Sequence, residues 1–340
     1  MDTLLERPTD GRTGRLAWAD LLRVLTTFAV VLLHTSTTWL ALAEEGSAEW
    51  TALMAWDGLT RWCVPVFVLL SGAFLLDPNK PLTVRFLLRG RLPRILAALL
   101  AWGFFYNLIY FRNAGAAGVR NALLLTLRGQ TEYHLWYLYM LLGLYLLTPV
   151  LRGLVRGCSR RELEWLLALW FLAGLLLPTV LSYFPSVGAQ SWLKQLDLPL
   201  IGGYPGYYVA GYYLRTYDLR PRVRYAVYAL GLSGLAATLA LGSDVYGYLT
   251  PNVACTACAL FLLCRQCRLR PSRVAGLSDC SFGVYLSHVF FLMLLNHFGL
   301  TTLRFTPWLS APLLSLAVFF CAAGTARALR KLPVVGAYIT

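Results

Sequence analysis

The chain is 340 residues long, 58% hydrophobic and 14% charged, with a net charge of +14. Soluble domains carry roughly 25% charged residues, so this composition excludes an ordinary water-soluble domain and points to lipid as the solvent. The positive excess invites a nucleic-acid reading, which its distribution along the chain then excludes.

Apolar runs of about 20 residues can cross the hydrocarbon of a bilayer. They predict ten spans: 16–43, 55–76, 94–111, 134–151, 163–183, 200–214, 224–241, 250–264, 280–299 and 308–328. The expected fold class is all-α, a polytopic membrane protein with about ten transmembrane helices. The spans use most of the chain, so one integral-membrane domain (1–340, core about 15–330) without an appended soluble domain is expected. Span 1 is too long for a signal peptide and lacks a clean cleavage site, which makes it a retained helix.

Span 1 contains "DLLRVLTTFAVVLLHTSTTW", with Asp20, Arg23, Thr27 and His34. Arg23 and His34 are nearly three turns apart, so they share a face about 16 Å apart along the axis. Asp20 and Thr27 fall on the same face. Such groups are costly in lipid and must face the bundle interior or water. In span 2, Asp57 and Arg61 have the i, i+4 spacing of a salt bridge. Ser71-Gly72 is a small pair suited to close helix approach or to a passing ligand. Arg85, Arg89, Arg91 and Arg94 lead into span 3. Arg91 and Arg94 form an R-x-x-R around Pro93 at a helix start, and are expected to converge on one side and to bind phosphate bidentately.

His134 and Trp136 open span 4 at the level of an interfacial aromatic belt. Segments 112–133 and 184–199 read as loops long enough to shape an outward-facing pocket. The run "CTACALFLLCRQC" holds two CxxC pairs separated by five residues, whereas a zinc ribbon needs about 15–20. These thiols therefore read as packing residues, and no metal is expected. In span 9, Ser281, Tyr285 and His288 follow i, i+4 and i+7 on one face, expected in the inner half of the membrane. His297 stands alone and receives no role.

With a cytoplasmic N-terminus, 24 of the 30 lysines and arginines fall in inner segments. Outer segments hold Arg112, Arg120, Arg128, Lys194 and Arg304, and Arg61 lies within span 2. This positive-inside pattern predicts cytoplasmic N- and C-termini in the cell membrane, and assigns most of the charge to topology rather than to nucleic acid.

Taken in order, D-x-x-R with a histidine eleven residues beyond its arginine, "PVFVLLSGAFLL", R-x-x-R before span 3, "HLWYLYMLLGLYLLTPVL" and "SFGVYLSH" resemble the membrane-bound acyltransferase 3 family. The likeness is nearest to its bacterial O-acetyltransferases of cell-envelope glycans. The resemblance covers about residues 15–330. It implies transfer of an acetyl or other short acyl group from cytoplasmic acyl-CoA to a hydroxyl of a sugar or lipid-linked glycan facing outwards. It implies His34 as the catalytic histidine and Arg23 as its R-x10-H partner. It further places Arg91 and Arg94 on the CoA side and Ser71 and Gly72 lining the site.

The chemistry of the residues agrees. A histidine is the usual base for a sugar hydroxyl, and the phosphates of CoA require several arginines. Asp20 and Asp57 are expected to assist His34, with Asp57 also able to bind sugar hydroxyls. Tyr285 and His288 are assigned to the donor side; Arg61, His134 and Trp136 are assigned to the acceptor. Acetyl-CoA is the expected co-substrate, and a second copy of the chain is a candidate partner. A transporter or flippase for a glycan or anion would use the same polar track, although the chain shows no internal repeat of the kind common in transporters.

Overall fold

Inside lipid a backbone has no water to bond, so apolar runs this long satisfy their N–H and C=O groups only as helices. The computed structural model describes residues 15–184, 202–267, 274–333 and 336–340, and the regular structure among them is all helical. In chain order the helices are α1 (Ala17–Thr38), α2 (Ala48–Thr60), α3 (Cys63–Leu75), α4 (Leu92–Tyr110), α5 (Gly115–Leu127), α6 (Trp136–Gly157) and α7 (Arg160–Leu169). There follow α8 (Tyr204–Thr216), α9 (Pro221–Leu241), α10 (Pro251–Gln266), α11 (Ala275–His297), α12 (Pro307–Leu329) and the short α13 (Gly336–Ile339). Helix α7 runs on through a π-helical stretch, Trp170–Leu176, into Leu177–Ser182.

Among the described residues, eight helical stretches are long and apolar enough to cross a membrane: 17–42, 48–75, 84–110, 133–157, 160–182, 221–245, 275–297 and 307–329. The other two expected spans, 200–214 and 250–264, fall on α8 and α10, which have 13 and 16 residues. At 1.5 Å per residue these reach about 20 and 24 Å, short of a hydrocarbon core of about 30 Å. Helix α8 is packed inside the bundle, with Tyr207 and Tyr208 fully buried.

Span 2 is two helices. Pro65 has no N–H to offer the carbonyl of Arg61, and the chain turns at Arg61–Trp62 between α2 and α3. Segment 112–133 is not the open loop expected: α5 occupies Gly115–Leu127 and packs on α4. Asn107 on α4 holds it, donating to Thr126 Oγ1 at 3.0 Å and to the Gln130 carbonyl at 2.9 Å. Of the other expected loop, residues 185–199 lie outside the described residues, as do Arg7, Arg12, Lys194, Arg268, Arg270 and Arg273.

The basic termini of several helices gather at one end of the bundle. There Arg152 at the foot of α6 donates to the carbonyls of Leu75, Asp77 and Lys80 at 2.6–2.8 Å. Arg215 at the foot of α8 bonds Ala73 O and pairs with Asp77. Helix α1 runs through the middle, touching α2, α3, α10, α11 and α12.

Candidate active site

Helices α1 and α11 both start at the basic end and lie side by side in parallel. Near that end, Asp20 accepts from Arg15, Arg23 and Ser278, at 3.0, 3.2 and 2.6 Å. Arg23 also donates to Ser278 Oγ at 3.0 Å. Arg15 reaches Asp279 as well, and the carboxylates of Asp20 and Asp279 hold its guanidinium above its usual range against the cost of burial. Higher up, His34 Nδ1 meets His288 Nε2 at 2.6 Å, and beyond it Trp39 Nε1 donates to Asn296 Oδ1 at 3.1 Å. The eleven-residue step from Arg23 to His34 is matched by the ten-residue step from Ser278 to His288. Both span about 15–16 Å at the rise of an α-helix. The R-x10-H spacing thus sets the register of two parallel helices. Asp20 serves the lower rung and does not touch His34.

The histidine pair has a fixed polarity. His288 Nδ1 sits 2.7 Å from the Tyr285 carbonyl and 3.2 Å from that of Val284. A carbonyl only accepts, so in the neutral pair His288 Nδ1 carries the hydrogen and its Nε2 is the acceptor. His34 Nδ1–H is then the donor across the 2.6 Å contact, and His34 Nε2 keeps its lone pair. The rings are nearly parallel, 9° apart, with centroids at 4.9 Å, so they meet edge to edge. Sequence spacing placed His288 deeper, on the donor side; the structure sets it behind His34 at the same depth. Tyr106 of α4 supports this stretch of α11. Its hydroxyl donates to Leu286 O at 2.8 Å and accepts from Phe290 N at 3.2 Å.

His34 faces a small cavity lined by Val30, Phe67, His134, Tyr137, Tyr248 and Tyr285 among others. Its volume, about 20 Å³, holds one water-sized group. His134 was expected at the membrane interface, yet it is 1% exposed. Its ring lies 5.2 Å from those of Tyr106 and His288 and 6.3 Å from that of His34. Both ring nitrogens are buried, with the Leu286 backbone close enough to act on the ring, while its carbonyl accepts from Tyr285 Oη at 2.5 Å. Three clustered histidines suggest a metal, but among the described residues no group of His, Cys, Asp or Glu converges to hold one.

A second, more open cavity of about 500 Å³ lies towards the end opposite the basic one, lined by Thr37, Met54, Asp57, Arg61, Tyr246 and Tyr248. Asp57 and Arg61 form an ion pair there. The guanidinium lies 4.8 Å from the Tyr246 ring centroid and 5.9 Å from that of Tyr248. Gly58 permits this, since a Cβ there would fall 2.6 Å from Tyr246 Oη. Trp136 stacks on the other side of Tyr248, with centroids 5.7 Å apart. Tyr248 therefore walls both cavities, and Arg61 stands next to the histidine site rather than in it. Sequence reading missed Tyr246 and Tyr248, which follow the end of α9 without motif or periodicity. Ser278 was also missed, though its spacing to His288 repeats that of Arg23 to His34.

At the basic end a π turn, Leu87–Arg91, precedes α4. Arg91 hydrogen-bonds the Tyr145 hydroxyl, and the charges of Arg94 and Arg23 reach the same group. Arg94 donates to the Thr340 main-chain oxygen at 2.6 Å and overlies Phe282 at 5.7 Å. Gly72 does not line the histidine cavity. A Cβ there would lie 1.8 Å from the Tyr208 carbonyl oxygen, so Gly72 lets α3 and α8 cross. Ser71 bonds the Phe67 carbonyl of its own helix at 2.9 Å.

The profile of the acyltransferase 3 family, described as an acyltransferase domain, matches residues 16–327. That is nearly the whole chain. The chain belongs to this family. The match takes in both rungs between α1 and α11, both cavities and Arg91 and Arg94, so the acyltransferase is a multi-pass membrane one built on α1–α12. No curated protein and no solved structure matches the chain.

Proposed function

We propose that the chain is an O-acetyltransferase of the cell membrane. In this reading it moves an acetyl group from acetyl-CoA, held at the cytoplasmic, basic end, to a hydroxyl of an envelope polysaccharide or lipid-linked glycan. The observation that carries the proposal is the free lone pair on His34 Nε2, fixed by His288 and facing a cavity. The acceptor hydroxyl gives its proton to Nε2 as its oxygen bonds to the acetyl carbonyl carbon. The tetrahedral oxyanion then collapses, the carbon–sulfur bond breaks, and the leaving thiolate takes the proton from Nε2. An ester and the free thiol of CoA result.

Each remaining group has a part. His288 accepts from His34 Nδ1–H throughout and shares the charge of the imidazolium, the role of the orienting partner in a catalytic triad. His134 offers a buried ring N–H to the oxyanion, where such a donor is most effective. The Asp57–Arg61 pair and its two tyrosines suit a sugar, with aromatic faces for its carbon atoms and charged groups for its hydroxyls.

Mass spectrometry of envelope glycans from cells with and without the protein tests this reading. Glycans carrying one acetyl group are expected only with it. His34→Ala should abolish both the modification and glycan-dependent CoA release while the protein still inserts. Full transfer by that variant, or glycan uptake into vesicles without any acyl donor, would overturn the assignment.

A further inference from the structure

At the basic end a cleft of about 460 Å³ opens between the α3–α4 connection and the foot of α6, lined by Lys80, Arg152 and Arg156 over Pro78, Pro81 and Pro149. Its charge is poorly balanced. Arg152 is buried, but its three bonds go to carbonyls, which carry no net charge. Asp77 is the carboxylate bonded here, and Arg215 takes it at 3.2 Å. Lys80 and Arg156 are exposed at the cleft and form no salt bridge among the described residues, and the Lys80 amine lies 5.4 Å from the Phe74 ring centroid. Partial burial, and then the charges of Arg215 and Arg91, push the Lys80 amine below the usual lysine range against the opposing pull of Asp77.

A buried guanidinium whose hydrogen bonds all go to carbonyls is costly, and the charge of Arg156 beside it adds to a cost that Asp77 offsets only in part. The cluster is relieved by a multiply charged anion. The cleft supplies more than charge, since Pro78, Pro81, Leu82 and Pro149 add apolar surface to its lining, which suits the base of a nucleotide. Arg91 is close enough to repel Lys80, and it leads past Tyr145 towards the interior. Arg94 is taken by Thr340 and Phe282 instead.

We infer that this cleft binds the phosphorylated nucleotide end of the acyl donor, with Lys80 and Arg156 on its phosphates and Arg91 at the point where the pantetheine arm enters the bundle. The inference rests on the acyl-CoA reading and moves the phosphate contacts from Arg94 to residues outside the R-x-x-R motif. Arg152 latches the 75–80 segment, so its substitution would disturb the cleft itself; Lys80 and Arg156 can be changed without breaking a hydrogen bond described here.

The test uses the full chain in neutral-lipid nanodiscs and titrates adenosine 3′,5′-bisphosphate directly. A Lys80→Gln/Arg156→Gln double variant should lose roughly a hundredfold or more in affinity, as expected for two hydrogen bonds to charged groups. Arg222→Gln, an equal charge change on the exposed start of α9, should leave it unchanged. In turnover, the double variant and 3′-dephospho-CoA should each raise KM for the donor with kcat retained. Equal affinity in the double variant and the wild type overturns the inference, as does competition by phosphatidylglycerol vesicles with no effect of the 3′-phosphate, which marks a lipid headgroup site. Binding of the bisphosphate that needs Lys80 and Arg156 in a protein without acyl transfer would keep the cleft and remove the acetyltransferase reading; transfer with an unchanged donor KM would do the reverse.

Discussion

A histidine that acts as a base needs a lone pair facing its substrate, and on His34 that tautomer is selected by His288. The selection is indirect: the Tyr285 carbonyl fixes the hydrogen on His288 Nδ1, and His288 Nε2 then fixes the hydrogen on His34 Nδ1. Replacing His288 with Phe removes the acceptor and leaves His34 free to adopt either tautomer. A kcat loss of about 10²–10⁴ is expected, the range seen when a base loses its orienting partner, with KM for acetyl-CoA unchanged. His288→Gln should recover part of the loss, because its amide oxygen can accept from His34 Nδ1–H. A structural role alone would not distinguish Gln from Phe in kcat at equal KM, so steady-state kinetics of the two variants decides the point.

At the scale of elements, the bundle depends on close crossings that only glycine allows. On α3 a Cβ at Gly72 would lie 1.8 Å from Tyr208 O, and on α8 one at Gly211 would lie 1.9 Å from Leu69 O. The two contacts are reciprocal and belong to one crossing. Gly72→Ala or Gly211→Ala forces the helices apart, which overpacking data put at roughly 1–3 kcal/mol or more. Thermal unfolding in detergent should show a lower Tm for each, and the double variant should lose less than the sum, since one separation relieves both overlaps. The sequence carries the apolar runs and the Ser71-Gly72 pair plainly, because hydropathy and small-residue patterns are local properties. It does not carry the partner of Gly72, because Tyr208 lies 136 positions away in a helix of only 13 residues. The candidate site divides in the same way. His34, Arg23 and Asp57 stand out as ionisable groups in apolar surroundings, whereas the burial of His134 and the meeting of His34 with His288 follow from packing.

For the whole molecule, the two cavities and the cleft set a direction. The basic cleft lies at one end, the Asp57–Arg61 cavity opens towards the other, and His34 stands between them with Tyr248 shared by both cavities. A single-sided enzyme would need no such arrangement, because donor and acceptor would use one opening. In the proposed reading, with the basic end in the cytoplasm as the positive-inside pattern predicts, the acceptor arrives from the outer face. In a cysteine-free background, Lys80→Cys should react with a bulky membrane-impermeant maleimide in inverted vesicles but not in intact cells. Ser243→Cys, at an exposed position on the rim of the opposite cavity, should react in intact cells but not in inverted vesicles. Labelling Ser243→Cys should stop acyl transfer while adenosine 3′,5′-bisphosphate still binds; labelling Lys80→Cys should weaken that binding. Reaction of both positions from the same side would refute the two-sided path, because donor and acceptor would then share a compartment and the Tyr248 wall would separate nothing.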